Sequence, residues 1–320
     1  VKQRAVTLAL AVAAFALFYA LLFPKPITII QPTSLPLSTD SGEDGQLAAW
    51  RWLQAEGIPV VSLRQRYDRL GSNSIGGAAR GNVLITVMPH RLSARAEEWH
   101  PLAHWVEQGN TLLVMAALDD TPRWALGSES NFLAELQRAT HMTFLVKNEQ
   151  KATPSQTQQV RDSLSALLEP AVMPIIPRGT HPLLAEVRNL RAVSDLPASR
   201  WLAQSDDGSV ALTLAQRANT LDPVLWLRRE GDGQIIVCAV VSPFANREIA
   251  LANNARLLSN IIGWSRAPQG KVLFDDAHQG LVDFYDPQAF FHDPRLHRTL
   301  GRRLQRVDEL DYRLRDLIRK

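Results

Sequence analysis

Asn82-Val-Leu-Ile-Thr-Val-Met88 and Thr111-Leu-Leu-Val-Met-Ala-Ala-Leu118 decide the fold. Each is a continuous apolar run, the mark of a strand buried on both faces. Between them Ser93 reads as a cap for a helix over Ala94–Gln108. Trp99, Leu102, Trp105 and Val106 form its apolar face, and Gly109 stops it. Strand, helix and strand in that order predict a parallel sheet in an α/β domain.

Further along, Pro223-Val-Leu-Trp-Leu-Arg-Arg229 and Gln234-Ile-Ile-Val-Cys-Ala-Val-Val241 are joined by Glu230-Gly-Asp-Gly233, a hairpin signal. Ser242-Pro-Phe-Ala-Asn-Arg247 ends the second run, and a helical pattern follows with Ile249, Leu251, Leu257, Leu258, Ile261 and Ile262. Lys271–Phe274 then reads as a strand running into Asp275-Asp-Ala-His-Gln-Gly280. In open α/β sheets, ligands bind just past the C-terminal ends of the strands. The turns at 242–247 and 275–280 are therefore the first places to look for a site.

Other elements fit the same domain. Gln46–Glu56 reads as a helix with Leu47, Trp50 and Leu53 on one face, Ile58–Leu63 as a strand, and Tyr67–Arg80 as a loop. Asn131–Thr140 reads as a helix and Met142–Val146 as a strand. Residues 147–222 form an irregular insertion. It holds a possible helix at Val160–Leu168, a proline-broken run at Met173–Pro177 and strands at Trp201–Ala203 and Ser209–Leu214, read as antiparallel and joined to the hairpin.

The N-terminal end has another character. Ala5–Phe23 runs for nineteen residues without a charge, about the length a membrane-spanning helix needs. A cleaved signal peptide competes, but no small-residue cleavage site follows the run. Lys2 and Arg4 precede it and only Lys25 follows closely. By the positive-inside rule the expectation is a single-pass inner-membrane protein with a cytoplasmic N-terminus and an extracytoplasmic main domain. The expected organisation is a stub and anchor over 1–23, a tether over 24–45 with an extended piece at Ile27–Ile30, and an α/β domain over 46–280. An aromatic, acidic segment and a basic amphipathic helix over 281–320 complete it. That helix, Leu300–Lys320, would lie on lipid, pair with a partner or pack on its own domain.

The formal charge is only +3, and seven of the basic residues sit in the last twenty positions. A nucleic-acid binder would carry a basic stripe across its body, so that class is set aside. Cys238 is the one cysteine, so no intramolecular disulfide is possible, and inside an apolar run it reads as a buried, inert thiol.

His90, Asp119, Ser242, Asn246, Arg247, Asp275, Asp276 and His278 are the candidate ligand-binding residues, all at predicted strand ends or in the turns that follow. Asp276 and His278 are two apart and on an extended turn would face one way. One histidine with scattered aspartates makes no recognised metal spacing, so no metal and no cofactor are expected. Asn246 reads as the cap of a helix starting near Glu248. Asn253 and Asn254 are poor helix formers, at least one of which should bond a neighbouring loop.

The order of these segments resembles the membrane-anchored proteins called domain of unknown function 4350, related to gliding-motility auxiliary transport proteins. The features that carry it are the anchor and Trp105-Val-Glu-Gln-Gly109 leading into Thr111–Leu118. Ser242-Pro-Phe-Ala-Asn246 follows with Asn253-Asn254, then Phe274-Asp-Asp-Ala-His-Gln-Gly280, similar to the family's Phe-Asp-Glu-x-His-His-Gly. Asp276 and Gln279 depart from that pattern at its second acid and second histidine. The family's second membrane helix has no counterpart in 281–320. The resemblance implies a class-I glutamine-amidotransferase-like, flavodoxin-like fold and a role beside a MoxR-type AAA ATPase and a von Willebrand-A-like partner.

An amidotransferase needs a cysteine on a tight strand-to-helix turn. The turn after Thr111–Leu118 offers Ala116, Ala117, Leu118 and Asp119, with no thiol or hydroxyl. The expectation is thus a non-catalytic accessory or binding protein with an amidotransferase-like fold that lacks the nucleophile. The alternatives are an amidase- or peptidase-like hydrolase using His278 with Asp276 or Ser242, and an auxiliary subunit of an ABC-type transport complex.

Overall fold

A computed structural model of the chain describes residues 34–71, 79–126, 131–147, 170–196, 199–206 and 208–283. The proposed anchor at 5–23, the extended piece at 27–30, the helix at 160–168 and the segments at 284–293 and 300–320 lie outside the described residues. Among the described residues no helix is long and apolar enough to cross a membrane.

The elements follow the hydrophobic pattern closely. In chain order they are α1 (Leu47–Ala55), β1 (Val60–Leu63), β2 (Val83–Met88), α2 (Ala96–Glu107), β3 (Thr111–Ala116), α3 (Phe132–Thr140) and β4 (Met142–Val146). Then come β5 (Ala171–Pro177), β6 (Leu190–Ser194), β7 (Trp201–Ser205), β8 (Leu212–Arg217), β9 (Pro223–Glu230), β10 (Gly233–Cys238), α4 (Asn254–Ser265) and β11 (Val272–Asp275). One nine-stranded sheet has the order β1-β11-β2-β3-β10-β9-β8-β5-β6, and β4 pairs with β7 in a separate ribbon.

The sheet has two halves. From β1 to β10 every pairing is parallel; from β10 to β6 every pairing is antiparallel. β10 joins them, parallel to β3 on one side and antiparallel to β9 on the other. Every residue of β2, β3 and β10 is buried, as the unbroken apolar runs require of central strands. The antiparallel half comes from the insertion and the hairpin, but its strands differ from expectation: the proline-broken run at 173–177 lies within β5, the strand expected at Ser209–Leu214 lies at Leu212–Arg217, and β6 was not expected from the sequence. One strand leaves it: β7, which pairs with β4 instead of the main sheet.

The β9–β10 turn needs its glycine. Gly231 has φ +55°, and a Cβ there would lie 2.9 Å from the Glu107 carbonyl oxygen. The hairpin therefore packs on the end of α2, the helix that precedes its parallel neighbour β3. Gly109, at φ +99°, ends α2 as read from the sequence.

Two helix starts differ from expectation. α2 begins at Ala96, not Ala94, because Glu98 reaches back to accept the Arg95 backbone N–H at 2.9 Å. α4 begins only at Asn254; residues 247–253 make turns instead of the helix expected near Glu248. Its opening asparagines hold the loop before β6, as the expected loop bond required. Asn253 Oδ1 accepts the N–H groups of Arg188 and Asn189, and Asn254 exchanges bonds with the backbone of Arg191.

Candidate functional site

Strand order decides which turns can meet. β11 lies between β1 and β2, so the turn after β11 faces the ends of those two strands. β3 lies beside β10, so Asp119 and Asp120 face the Ser242 turn. The eight candidate residues accordingly divide between two neighbourhoods.

The first is built on His278. Its Nδ1 lies 2.8 Å and 3.1 Å from the two oxygens of Asp275, and its Nε2 lies 3.0 Å from Glu98 Oε2. His90, just past β2 and the cis Met88–Pro89 peptide, stacks on the ring with centroids 4.7 Å apart. His90 Nδ1 lies 2.9 Å from Glu135 on α3, and its Nε2 3.0 Å from Thr86 Oγ1. Tyr67 donates its hydroxyl to Asp275 Oδ2, which also accepts from Thr86 at 2.8 Å. Arg66 closes the shell on Glu98 Oε1 at 2.5 Å. His278, His90, Asp275, Glu98 and Tyr67 are all buried.

The electrostatics follow from this pairing. Burial alone would lower the His278 pKa, but Asp275 and Glu98 outweigh it and raise it to about 9. Burial would raise Glu98, yet His278, Arg95 and Arg66 bring it down to about 2. Asp275 is likewise held well below the usual carboxylate range against its burial, chiefly by His278. Burial and the Asp275 charge push the Tyr67 phenol well above its ordinary value. His278 is thus an imidazolium held between two carboxylates.

Asp276 turns away from His278, contrary to the two-apart expectation. The residues after β11 form a tight turn, not an extended one, so His278 meets the acid three residues back. Asp276 instead accepts from the Ser38 N–H at 2.8 Å and from the Ser38 and Ser62 hydroxyls. This pins part of the stretch read as a tether onto the strand ends, with Ser38 fully buried. Gln279, where the family pattern has its second histidine, donates its amide to the Val87 carbonyl at 2.6 Å. The histidine that does sit beside His278 comes from another strand end, as His90.

The second neighbourhood is held by other pairs. Asp119 accepts from Arg217 at 2.7 Å, and Asp120 accepts the backbone N–H groups of Val241 and Ser242. Ser242 Oγ accepts the Val193 N–H at 2.9 Å. Arg247 bridges Asp195 at 2.7 Å and Asp44 at 3.1 Å. Asn246 does cap a helix, but a distant one. Its Oδ1 accepts the Ala48 N–H in the first turn of α1, and its amide donates to the carbonyls of Asp40 and Gly42. Cys238 is buried in β10 and its thiol is pushed up to about 12 by burial, so it stays protonated and unreactive.

Tyr67, Thr86, Glu98 and Glu135 were not among the residues singled out from the sequence. Only Glu98 carried a signal, since an acid at the third helical position is the mark of a helix start. Away from these turns, a cleft of about 230 Å³ lies between the β4–β7 ribbon and the antiparallel half, lined among others by Met142, Leu202, Ala211, Pro223 and Trp226.

A profile described as Domain of unknown function (DUF4350) matches residues 38–262. The turn at 275–280 lies just beyond that span. No curated protein matches. Among solved structures, the beta-galactosidase from Bacillus circulans sp. alkalophilus is similar at 14% identity and TM-score 0.33, over 56% of this chain and 22% of that one. A cytoplasmic protein from Salmonella typhimurium LT2 is similar at 13% identity and TM-score 0.33, over 53% and 60%. A thua-like protein from Bacteroides uniformis is similar at 11% identity and TM-score 0.30, over 61% and 94%. The chain thus spans less than two thirds of the first two.

Proposed function

The chain belongs to the family described as Domain of unknown function (DUF4350), and within it we propose a non-catalytic, membrane-anchored accessory protein that binds a protein partner. The observation that carries this reading is the state of His278. Both of its ring nitrogens are taken by carboxylates, Asp275 and Glu98. A general base needs a free nitrogen within reach of a nucleophile. Ser242 sits in the other neighbourhood, its Oγ accepting the Val193 N–H and its side chain bonded to Asp120 in place of His278, while Asp276 is taken by Ser38 and Ser62.

On this reading the fold is amidotransferase-like without a nucleophile. Residues 5–23 anchor it, the main domain is extracytoplasmic, and the partners are a MoxR-type AAA ATPase and a von Willebrand-A-like protein. The cleft beside Trp226, of mixed polar and apolar lining, supports a binding role, with exposed Leu145 and Leu212 on strands beside it.

The test is direct. The full chain in membranes is treated with serine- and cysteine-directed covalent hydrolase probes, and in parallel co-purified with the co-expressed ATPase and von Willebrand-A-like protein. The reading expects no labelling and a stoichiometric complex. Labelling of Ser242 that disappears in His278→Gln would overturn it in favour of a hydrolase.

A further inference from the structure

The buried histidines have a second property that the partner-binding reading does not use. Each has its own carboxylate on the nitrogen facing away from Asp275: Glu98 at 3.0 Å from His278 Nε2, and Glu135 at 2.9 Å from His90 Nδ1. The remaining nitrogens, His278 Nδ1 and His90 Nε2, face Asp275. His90, His278 and Asp275 each offer one donor atom, and the three lie within 4.8 Å of one another. We propose that His90, Asp275 and His278 form a buried binding site for one divalent first-row transition ion, with Glu98 and Glu135 orienting the two histidines.

Geometry supports it. Asp275 Oδ2 lies 3.1 Å from His278 Nδ1 and 3.7 Å from His90 Nε2. A tetrahedral ion with bonds of about 2.0–2.1 Å spaces its donors about 3.3 Å apart. The two rings are stacked, so closing the set on an ion requires them to turn toward one another from their present packing. The Tyr67 hydroxyl, bonded to Asp275 and 3.4 Å from His90 Nε2, is placed to supply a fourth donor.

The outer carboxylates are the more telling feature. A metal-bound histidine almost always donates its other N–H to a carboxylate, carbonyl or water, which fixes the tautomer that aims the lone pair at the ion. Here the two outer acids come from two different helices, α2 and α3, so neither follows from the local fold of the motif turn.

Charge points the same way. Three buried carboxylates, Asp275, Glu98 and Glu135, face two histidines and Arg66. With both histidines neutral, a divalent cation and Arg66 offset the three negative charges. On entry the ion takes the place of the proton shared between His278 Nδ1 and Asp275, which leaves to solvent. Two imidazoles and a carboxylate, with no thiolate, suit Zn²⁺ and its neighbours over Cu(I). All three ligand residues are buried, which suits a structural ion.

The inference stands independently of the proposed partner. The test uses the full chain, purified in detergent without a histidine tag, stripped with chelator and titrated with Zn²⁺, then with Co²⁺. We expect one equivalent of zinc by elemental analysis, and a visible Co²⁺ spectrum without thiolate charge transfer. Asp275→Asn and His278→Gln abolish both. Glu98→Gln, which keeps every ligand, retains the stoichiometry and weakens affinity roughly 10–100-fold. His104→Gln serves as control for adventitious binding by His100 and His104 on the exposed face of α2, and leaves the equivalent in place. A folded wild-type chain that takes up neither ion overturns the proposal. So does metal that persists in His278→Gln or leaves with His104→Gln.

Discussion

The rings of His90 and His278 are stacked, 4.7 Å between centroids with planes inclined by 30°. One comes from the end of β2 and the other from the turn after β11, strands that pair in parallel. The contact ties the two turns together, and acids from two helices hold each ring from outside. What would be an open crevice in other sheets of this kind is here filled by paired charges.

Filling a crevice with charge makes stability sensitive to single deletions. In the metal-free chain His278→Gln leaves Asp275 and Glu98 without their shared cation. Breaking a buried ion pair by removing one partner costs about 3–5 kcal/mol. Urea unfolding should show a loss in that range, while exposed His104→Gln should change stability by less than about 0.5 kcal/mol.

Asn246 offers a second test, because it caps a helix far from it in sequence. Asn246→Ala removes the acceptor for the Ala48 N–H and the donors to Asp40 and Gly42. Loss of a cap costs about 0.5–2 kcal/mol. Asn246→Asp keeps the acceptor but presents oxygen to two carbonyls, so it should be at least as destabilising as Ala. Thermal denaturation of both variants checks the order; an aspartate variant as stable as wild type would contradict it.

The Asp119–Asp120 turn sets a pH dependence. Burial, with Asp120 adding to it, pushes Asp119 up to about 7 despite Arg217, and burial pushes Asp120 up to about 6. Both values lie above those of the unfolded chain, so in the window from about pH 4 to 7 the folded state holds protons the unfolded state has lost. The contribution is fully present below pH 4 and is lost as pH rises through the folded values, at most about 1.4 kcal/mol per pH unit for each group. Asp119→Asn should flatten the fall in stability between pH 4 and 7, as followed by chemical denaturation at each pH.

Cys238 should be silent in the native state. Its thiol is buried in β10 and pushed up to about 12. Alkylation should be complete in denaturant and in the native protein proceed only at the slow rate of unfolding. Rapid native alkylation would place the thiol at an accessible site.

The sheet was legible from hydrophobic pattern, and the buried cluster largely was not. β2, β3 and the hairpin announce themselves because strands covered on both faces must be continuously apolar. Glu98 and Glu135 sit on amphipathic helices, where an acid reads as solvent-facing; only the sheet order turns them inward onto histidines. Tyr67 lies in a single short turn with no periodicity to mark it. Asp276 misled because a two-residue spacing suggests alternation only if the backbone is extended, and here it turns. Asn246 looked like a local cap because capping is usually local, but its partner helix precedes it by most of the domain. Arg247 and Ser242 read as strand-end residues, yet their partners, Asp195 and Val193, come from β6 and the residue after it, a stretch with no strand pattern in the sequence reading.

A double-mutant cycle between His278 and Glu98 tests the central claim most directly. Wild type, His278→Gln, Glu98→Gln and the double variant are unfolded in urea, with and without chelator. If the turn after β11 is bolted to α2 through this pair, the two losses will be non-additive, with a coupling of about 1–3 kcal/mol. Losses that add to within about 0.5 kcal/mol would mean that His278 and Glu98 do not share a bond, and the account of a locked, paired cluster would fail.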